Sequence, residues 1–334
     1  MRSGAQIAFL GAITVLAACS TAPSGSPPVS PVAPTDVAPT SISSPSPSPD
    51  AEGSAGPGEV IVGGARPVTV RLPSGNATEP APLLIMLHGY GDSTADHRAY
   101  FALDRYAGDA GMVVVYPEGT RDRDGNLLWN GTDTCCDFYG SGVDDVAYLA
   151  SLVAEIGRNT PIDVKRVYLV GHSNGGFMSY RMACEQAGVF AAVVSLAGAT
   201  FDDDADCAPS EPVAILEIHG TADDVIRFAG GTLSDIGPPN SPHPAYPGAK
   251  ETVASWAAYN GCASALTRAS ETLDIDAVIN GPNGPKETTI ETATDCDPGG
   301  HVELWTIPGG GHGPILSRTF GQLVIDFLLA HPKP

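Results

Sequence analysis

The stretch that decides the fold is Val167-Tyr168-Leu169-Val170-Gly171-His172-Ser173-Asn174-Gly175, where a short apolar run meets a glycine-flanked serine and the start of a helical segment. It has the Gly-x-Ser-x-Gly pattern of a nucleophile elbow, a sharp turn between strand and helix that lifts the serine hydroxyl above a sheet. The helix start behind the serine favours developing negative charge. We therefore predict that Ser173 is a catalytic nucleophile; the alternative is a serine that caps a helix.

Apolar runs and helical periodicity alternate on both sides of this turn. This alternation predicts an α/β fold with a mostly parallel central sheet and helices on both faces. Active sites in such sheets lie at the carboxyl ends of the strands. The predicted strands are residues 68–72, 83–87, 112–116, 167–170, 191–196, 213–218 and 301–307, and the predicted helices are residues 99–110, 143–156, 174–186, 251–259 and 320–330.

A serine nucleophile needs a base and an acid that orients the base. Asp223 follows the strand at 213–218, and His312 follows the strand at 301–307 on a glycine-rich loop. The chain order Ser, Asp, His is the one used on this kind of sheet. We predict a Ser173–His312–Asp223 triad, with Asp224 as the competing acid. The alternative roles are an aspartate in an ordinary turn and a solvated loop histidine.

An oxyanion hole is predicted after an early strand. Residues 83–87 end in His88-Gly89-Tyr90-Gly91, and the glycines allow the backbone to approach a substrate. The backbone N–H groups of Tyr90 and Asn174 are the predicted donors. The adjacent carboxylates Asp144-Asp145 are interpreted as an acidic helix start rather than a metal site, with Asp145 able to brace the elbow.

The N-terminus has the features of a targeting signal. Arg2 precedes an apolar run, and Leu16-Ala17-Ala18-Cys19 resembles the lipobox of bacterial lipoproteins. We predict a lipoprotein signal peptide at 1–18, a lipidated Cys19 at the head of a disordered Ser/Pro-rich tether at 19–58, and a catalytic domain at 59–334. The alternative is an ordinary signal peptide. We predict that the protein lies at the outer face of a bacterial membrane or envelope. The sequence does not decide whether the anchored protein is later released.

The cysteine count agrees with export. The chain has 7 Cys, and setting Cys19 aside leaves six, an even number that suggests up to three disulfides in an exported chain. The count does not decide the connectivity among Cys135, Cys136, Cys184 and Cys207 or the other two.

The charge balance excludes some partners. The chain carries 17 Lys and Arg against 38 Asp and Glu, a formal charge of −21. Nucleic-acid binding and electrostatic docking on anionic lipid both need clustered cations. We expect no nucleic-acid partner, membrane contact only through the N-terminal lipid, a monomer, and no cofactor or metal.

Nine short motifs occur in order along the chain. They are His88-Gly89-Tyr90-Gly91-Asp92, Tyr116-Pro117-Glu118-Gly119, Trp129-Asn130, Cys135-Cys136, Val143-Asp144-Asp145-Val146, Gly171-His172-Ser173-Asn174-Gly175-Gly176, His219-Gly220-Thr221-Ala222-Asp223, Asn260-Gly261-Cys262 and Gly309-Gly310-Gly311-His312. Together they resemble the secreted polyhydroxybutyrate depolymerase/feruloyl esterase family, which comprises α/β-hydrolases related to acetyl xylan esterases.

The resemblance spans roughly residues 60–334. It implies the triad Ser173, Asp223 and His312, an ester substrate that is polysaccharide-linked or a polyester, and a Cys262–Cys296 bridge. Asp137 and Asp224 stand where family members usually have Gly and Pro, which affects the expected substrate choice.

The predicted function is an exported serine esterase that hydrolyses acetyl, feruloyl or hydroxybutyrate esters through an acyl-enzyme. Three alternatives remain open from the sequence. They are a cell-envelope transacylase of the same fold, a peptidase of the same fold, and a tethered binding lipoprotein without catalysis.

Overall fold

The apolar runs around the serine turn form the middle of a ten-stranded sheet. A computed structural model of the chain describes residues 58–73, 79–239, 241–263, 266–281 and 284–334. The predicted signal peptide, Cys19 and almost all of the predicted tether lie outside these residues. The strands are β1 (Glu59–Val62), β2 (Val68–Arg71), β3 (Ala81–Leu87), β4 (Val113–Val115), β5 (Thr120–Arg121), β6 (Leu127–Leu128), β7 (Ile162–His172), β8 (Ala192–Leu196), β9 (Ala214–Gly220), β10 (Gly230–Thr232), β11 (Ala245–Pro247), β12 (Thr267–Leu273), β13 (Thr288–Ala293) and β14 (His301–Ile307).

The large sheet has the order β1-β2-β4-β3-β7-β8-β9-β14-β13-β12. Its six middle strands, β4 to β14 in this order, run parallel, and two antiparallel strands extend each edge. All seven residues of β3 and of β9 are buried. Because helices cover both faces, β3 is apolar throughout rather than alternating, and β9 adds only the buried Glu217 and His219 to an otherwise apolar run. The predicted α/β fold is confirmed.

Helices pack on both faces of the sheet. They are α1 (Thr94–Phe101), α2 (Asp104–Asp109), α3 (Asp145–Asn159), α4 (Asn174–Glu185), α5 (Ala249–Tyr259) and α6 (Phe320–Ala330), with a short 3₁₀ turn at Asp204–Asp206. Helices α3, α4 and α5 bury their apolar sides in one core layer, and α1, α2 and α6 do so in the other. None of the helices among the described residues is long and apolar enough to cross a membrane.

The helix predicted at 99–110 is wrong in its extent, because the structure has two helices here. A capping box between Ser93 and Asp96 starts α1 earlier than predicted, and Ala102 ends it in the left-handed conformation, with φ 48°. The Ala102 N–H closes α1 on the Arg98 carbonyl, and α2 then begins at Asp104. A left-handed alanine costs free energy and is not signalled by apolar periodicity.

The sequence prediction missed the edge strands β1, β12 and β13. The run Thr267–Leu273 is largely exposed and polar, and it pairs with β13, which in turn pairs with β14. A strand at a sheet edge does not need the continuous apolar run that marks a buried parallel strand. Hydrophobicity alone therefore could not identify it.

The six cysteines of the described domain form three disulfides. Cys135 pairs with its neighbour Cys136, and Cys184 of α4 pairs with Cys207 after the 3₁₀ turn. The third bridge links Cys262, after α5, to Cys296, before β14. The structure thus gives the connectivity that the cysteine count left open.

Candidate active site

The serine turn joins β7, which ends at His172, to α4, which begins at Asn174. Ser173 between them has φ 54° and ψ −119°, a conformation that side-chain-bearing residues rarely adopt. Such backbone strain costs roughly 1–3 kcal/mol and persists only where the surroundings enforce it. The Ser173 N–H donates to the Leu196 carbonyl of β8 at 2.9 Å. The serine side chain makes no helix-cap hydrogen bond, which removes the alternative of a simple capping serine.

Glycines make this turn sterically possible. A Cβ on Gly171 would lie 2.1 Å from the Gly175 carbonyl oxygen, and a Cβ on Gly175 would lie 2.1 Å from the Leu87 carbonyl oxygen. Real Cβ atoms do not approach so closely, so any side chain there would separate α4 from β3 or β7. The two flanking glycines are therefore required by the close packing of helix on strand.

Asp223 and His312 meet at the carboxyl ends of β9 and β14, which are adjacent and parallel. The His312 Nδ1–H donates to Asp223 Oδ2 at 2.9 Å. The other carboxylate oxygen of Asp223 accepts the backbone N–H groups of Val225 and Ile226, both at 2.9 Å. Burial raises the pKa of Asp223, but the hydrogen bonds from two histidines outweigh it and hold that pKa well below its ordinary value. The carboxylate is thus ionised and fixed against the imidazole.

Asp224, which the sequence offered as the alternative acid, lies at the surface. It is exposed, while Asp223 is buried and contacts His312. The Asp137 side chain accepts the N–H groups of Ser141 and Gly142, so its carboxylate closes a local turn.

The loop after β3 presents the predicted oxyanion donor Tyr90. The Gly119 N–H donates to His88 Nε2 at 2.9 Å, so Nδ1 carries the proton and donates to the Gly89 carbonyl at 2.8 Å. Burial lowers the pKa of His88, which keeps this ring neutral. Since the C=O and N–H of one trans peptide point in opposite directions, the bond to Gly89 turns the Tyr90 N–H away from His88.

The second predicted donor is the backbone N–H of Asn174. As the first residue of α4, Asn174 has no intrahelical acceptor for its N–H. Its side chain is clamped by Trp129, whose N–H donates to Asn174 Oδ1 at 2.7 Å and whose carbonyl accepts from Nδ2 at 2.8 Å. The residue after Trp129 is Asn130, and its N–H donates to the buried Asp145 carboxylate at 2.8 Å. Asp145 also forms a salt bridge with Arg66. Asp145 therefore braces the elbow indirectly, through the 129–130 segment.

A cavity of about 270 Å³ lies above the serine. Ser173, His312 and Tyr90 all line it, so the structure brings the predicted nucleophile, base and oxyanion loop to one space. Much of its wall is apolar and comes from the loops after β3, β6, β9 and β10. The apolar and aromatic wall residues are Tyr90, Cys135, Cys136, Val225, Ile226, Leu233 and Ile236.

A larger and more open groove of about 400 Å³ lies beside β2 and α1. Arg71, Arg98, Tyr116 and Glu118 are among its lining residues. It contains neither Ser173 nor His312, and the two arginines already pair with Asp104. The smaller cavity is therefore the candidate active site.

Sequence reasoning missed two further histidines beside the predicted triad. His172 donates from Nε2 to the His312 carbonyl at 3.0 Å, and burial lowers its pKa to about 4. His219 lies between Glu217 and Asp223 on the acid's far side. Both stand inside motifs singled out from the sequence, but only the tertiary structure gives their partners.

Residues 67–238 match the family described as Esterase PHB depolymerase. Feruloyl esterase B of Piromyces equi is 32% identical over 282 residues, which cover 80% of this chain but 46% of that protein. NocK of Nocardia uniformis subsp. tsuyamanensis, named as an esterase, is 30% identical over 93% of this chain and 88% of its own length. An acetyl xylan esterase from Aspergillus awamori shares the fold, with a TM-score of 0.55, 16% identity, and coverage of 81% of this chain and 97% of that one.

Proposed function

The chain belongs to the Esterase PHB depolymerase family of carboxylic ester hydrolases, and from this premise we propose that it cleaves esters through a covalent acyl-serine intermediate. The proposed nucleophile is Ser173, the base is His312 and the orienting acid is Asp223. The observation that carries the proposal is the 2.9 Å bond between His312 Nδ1 and Asp223, beside a cavity that Ser173 and His312 both line.

The proposed reaction follows from the protonation states at the site. His312 donates from Nδ1 to Asp223, so Nε2 is the basic atom that takes the Ser173 proton as the hydroxyl attacks the ester carbonyl. Asp223 stabilises the resulting imidazolium. The N–H groups of Tyr90 and Asn174 hold the oxyanion. His312 then protonates the departing alcohol, and water hydrolyses the acyl-enzyme by the same steps.

The apolar wall of the cavity favours a substrate whose acyl group is apolar. Seven wall residues are apolar or aromatic, and Tyr90 packs edge-on against Phe138 with ring centroids 5.4 Å apart. We propose feruloyl or related esters on polysaccharides as the first substrates to test, followed by acetyl esters and hydroxybutyrate oligomers. The relatives named for feruloyl and acetyl xylan esters support this order.

The test is a set of initial hydrolysis rates for residues 59–334 with acetyl, butyryl, feruloyl and hydroxybutyrate-oligomer esters. We expect turnover by the wild-type domain and a loss of about 10⁴-fold or more in kcat for Ser173→Ala. His312→Ala should lose a similar factor, because the two residues act as a unit. Equal rates for wild type and Ser173→Ala on every ester would refute the proposal. Hydrolysis that is slow until a sugar acceptor is added would identify a transacylase.

We also propose that the protein is exported and held at the membrane by lipid on Cys19. The three disulfides of the described domain are consistent with an oxidising compartment. The lipobox-like Leu16-Ala17-Ala18-Cys19 supports the anchor. The full chain should appear in the membrane fraction of a bacterial host, and Cys19→Ser should not carry lipid. Labelling of both forms with a clickable fatty acid tests this, and equal labelling would refute it.

A further inference from the structure

A second imidazole lies against the Asp223 carboxylate, and the reaction proposed above does not use it. This is His219 near the end of β9, which is 1% exposed. Its Nε2 lies 2.7 Å from the Ile226 carbonyl oxygen and 3.4 Å from Asp223 Oδ2, the oxygen that also accepts from His312. Its Nδ1 lies 2.8 Å from Glu217 Oε1. His219 therefore connects two buried carboxylates.

The partners of His219 fix where its protons are. A carbonyl oxygen only accepts hydrogen bonds, so the contact with Ile226 requires a proton on Nε2. The other oxygen of Glu217 accepts the Tyr180 hydroxyl at 2.9 Å. A proton on Nδ1 then donates to Glu217 Oε1, so that both carboxylate oxygens of Glu217 accept a hydrogen bond. With both ring nitrogens protonated, His219 is an imidazolium. Burial alone would lower the pKa of His219, but the hydrogen bonds to Asp223 and Glu217 raise it to about 10.

The charges around His219 make this imidazolium the local counter-ion. Glu217 and Asp223 face it directly, the Tyr180 hydroxyl of α4 lies behind Glu217, and His172 and His312 lie beyond Asp223. Within the described ranges, no Lys or Arg side chain pairs with either carboxylate. Two buried carboxylates without a cation would be costly. Burial raises the pKa of Glu217, and the hydrogen bond from His219 opposes that shift. His219 is thus the counter-ion that offsets the burial of both carboxylates.

We propose that His219 is a positioning residue for the proposed triad, which as a buried imidazolium holds the Asp223 carboxylate in place and adds a positive charge behind it. This inference rests on the proposed function, because it takes His312 as the base. A positive charge on the far side of Asp223 weakens the attraction of that carboxylate for a second cation on its near side, so loss of the charge should move the pH profile of catalysis. A purely structural role for His219 would stabilise the fold without moving that pH profile.

The test is the pH profile of kcat/KM, whose acid limb reports the protonation of the base in the free enzyme. His219→Gln removes the charge, so the acid limb should move to higher pH by about one unit. The matched control is His97→Gln. His97 is 2% exposed, and burial holds its pKa well below the ordinary value, so it is a neutral histidine. Its replacement should lower stability but leave the acid limb in place.

The outcomes separate this inference from the function on which it rests. Wild-type turnover that Ser173→Ala abolishes, with no shift of the acid limb in His219→Gln, overturns the inference alone. Absence of any turnover that depends on Ser173 overturns the function as well.

A measurement on the wild-type domain decides the matter where His219→Gln does not fold. The ¹⁵N spectrum of histidine-labelled protein at pH 8.5 should contain one imidazolium ring with both nitrogens protonated, near the Phe228 ring that packs edge-on against His219. A His219 ring with one unprotonated nitrogen at that pH would contradict the proposal.

Discussion

At the scale of single residues, the site depends on groups whose hydrogen-bond partners leave them one protonation state. His88 accepts the Gly119 N–H at Nε2 and donates from Nδ1 to the Gly89 carbonyl, so both nitrogens serve the loop that carries Tyr90. The side chain of Asn174 has a comparable role through its two bonds to Trp129. These residues do not need to touch a substrate to determine where the proposed oxyanion donors lie.

His88→Phe tests this arrangement. The variant keeps a buried ring but loses the hydrogen bond that orients the Gly89–Tyr90 peptide. We expect kcat to fall about tenfold to hundredfold, less than for deletion of a whole oxyanion donor, with KM nearly unchanged. Steady-state kinetics on the preferred ester measure both constants, and a thermal melt establishes that the variant is folded. An unchanged kcat with a raised KM would show that His88 affects substrate binding instead.

At the scale of elements, the serine turn works because β3, β7 and α4 approach one another closely. Helix α4 packs against the backbone of β3 at Gly175. A Cβ added to Gly175 would lie nearest the Leu87 carbonyl oxygen. The same approach sets Gly89 beside Ser173, since a Cβ on Gly89 would lie 3.5 Å from that of Ser173. The oxyanion loop and the nucleophile are therefore positioned by one packing contact between elements.

Gly175→Ala should disrupt that contact. The added methyl group must push α4 away from β3, so we expect a loss of about 1–3 kcal/mol in the free energy of unfolding and a large loss of activity. Gly188→Ala is the matched control, because a Cβ there meets nothing within 4 Å. Urea unfolding and ester hydrolysis of both variants give the comparison. Wild-type stability and activity in Gly175→Ala would show that the close approach is not needed.

Local sequence pattern predicted the buried elements and selected the residues of the proposed triad, but it did not predict the side chains that support them. Each parallel strand contains an apolar run. Ser173 follows β7 directly, and Asp223 and His312 stand on the loops that follow β9 and β14, so local pattern sufficed to select them. The polar edge strand β12 and the break at Ala102 carry no such pattern. The roles of His88 and His219 arise from bonds to Gly119 and Glu217 that depend on how separate elements meet. Hydrophobic periodicity contains no information about those contacts.

At the scale of the whole molecule, the fold desolvates three histidines near the candidate active site. Burial lowers the pKa values of His88, His97 and His172, the last to about 4. An unfolded chain binds protons at these positions below about pH 6.5, whereas the folded chain does not until lower pH. Proton uptake therefore favours unfolding as the pH falls from 6.5 toward 4. The raised pKa of His219 has the opposite effect, because it adds to the free energy of unfolding. This contribution is fully present between pH 6.5 and pH 4.

Stability should accordingly decrease between pH 7 and pH 5. His172 alone accounts for a loss on the order of 2 kcal/mol at pH 5, from an unfolded pKa near 6.5. Urea unfolding of the domain across this range measures the loss, and His97→Gln should flatten the slope by removing one of the three groups. A free energy of unfolding that stays constant or rises on acidification would contradict the burial of neutral histidines.

The central claim is that Ser173 is the activated nucleophile, and the most direct test is a covalent one. A fluorophosphonate releases fluoride when a nucleophilic serine attacks its phosphorus, and it leaves a phosphonyl group on that oxygen. The account predicts one adduct per folded domain, mapped by mass spectrometry to Ser173, and none after denaturation or in Ser173→Ala. Failure of the folded wild-type domain to react, or an adduct on a different serine, would contradict the account.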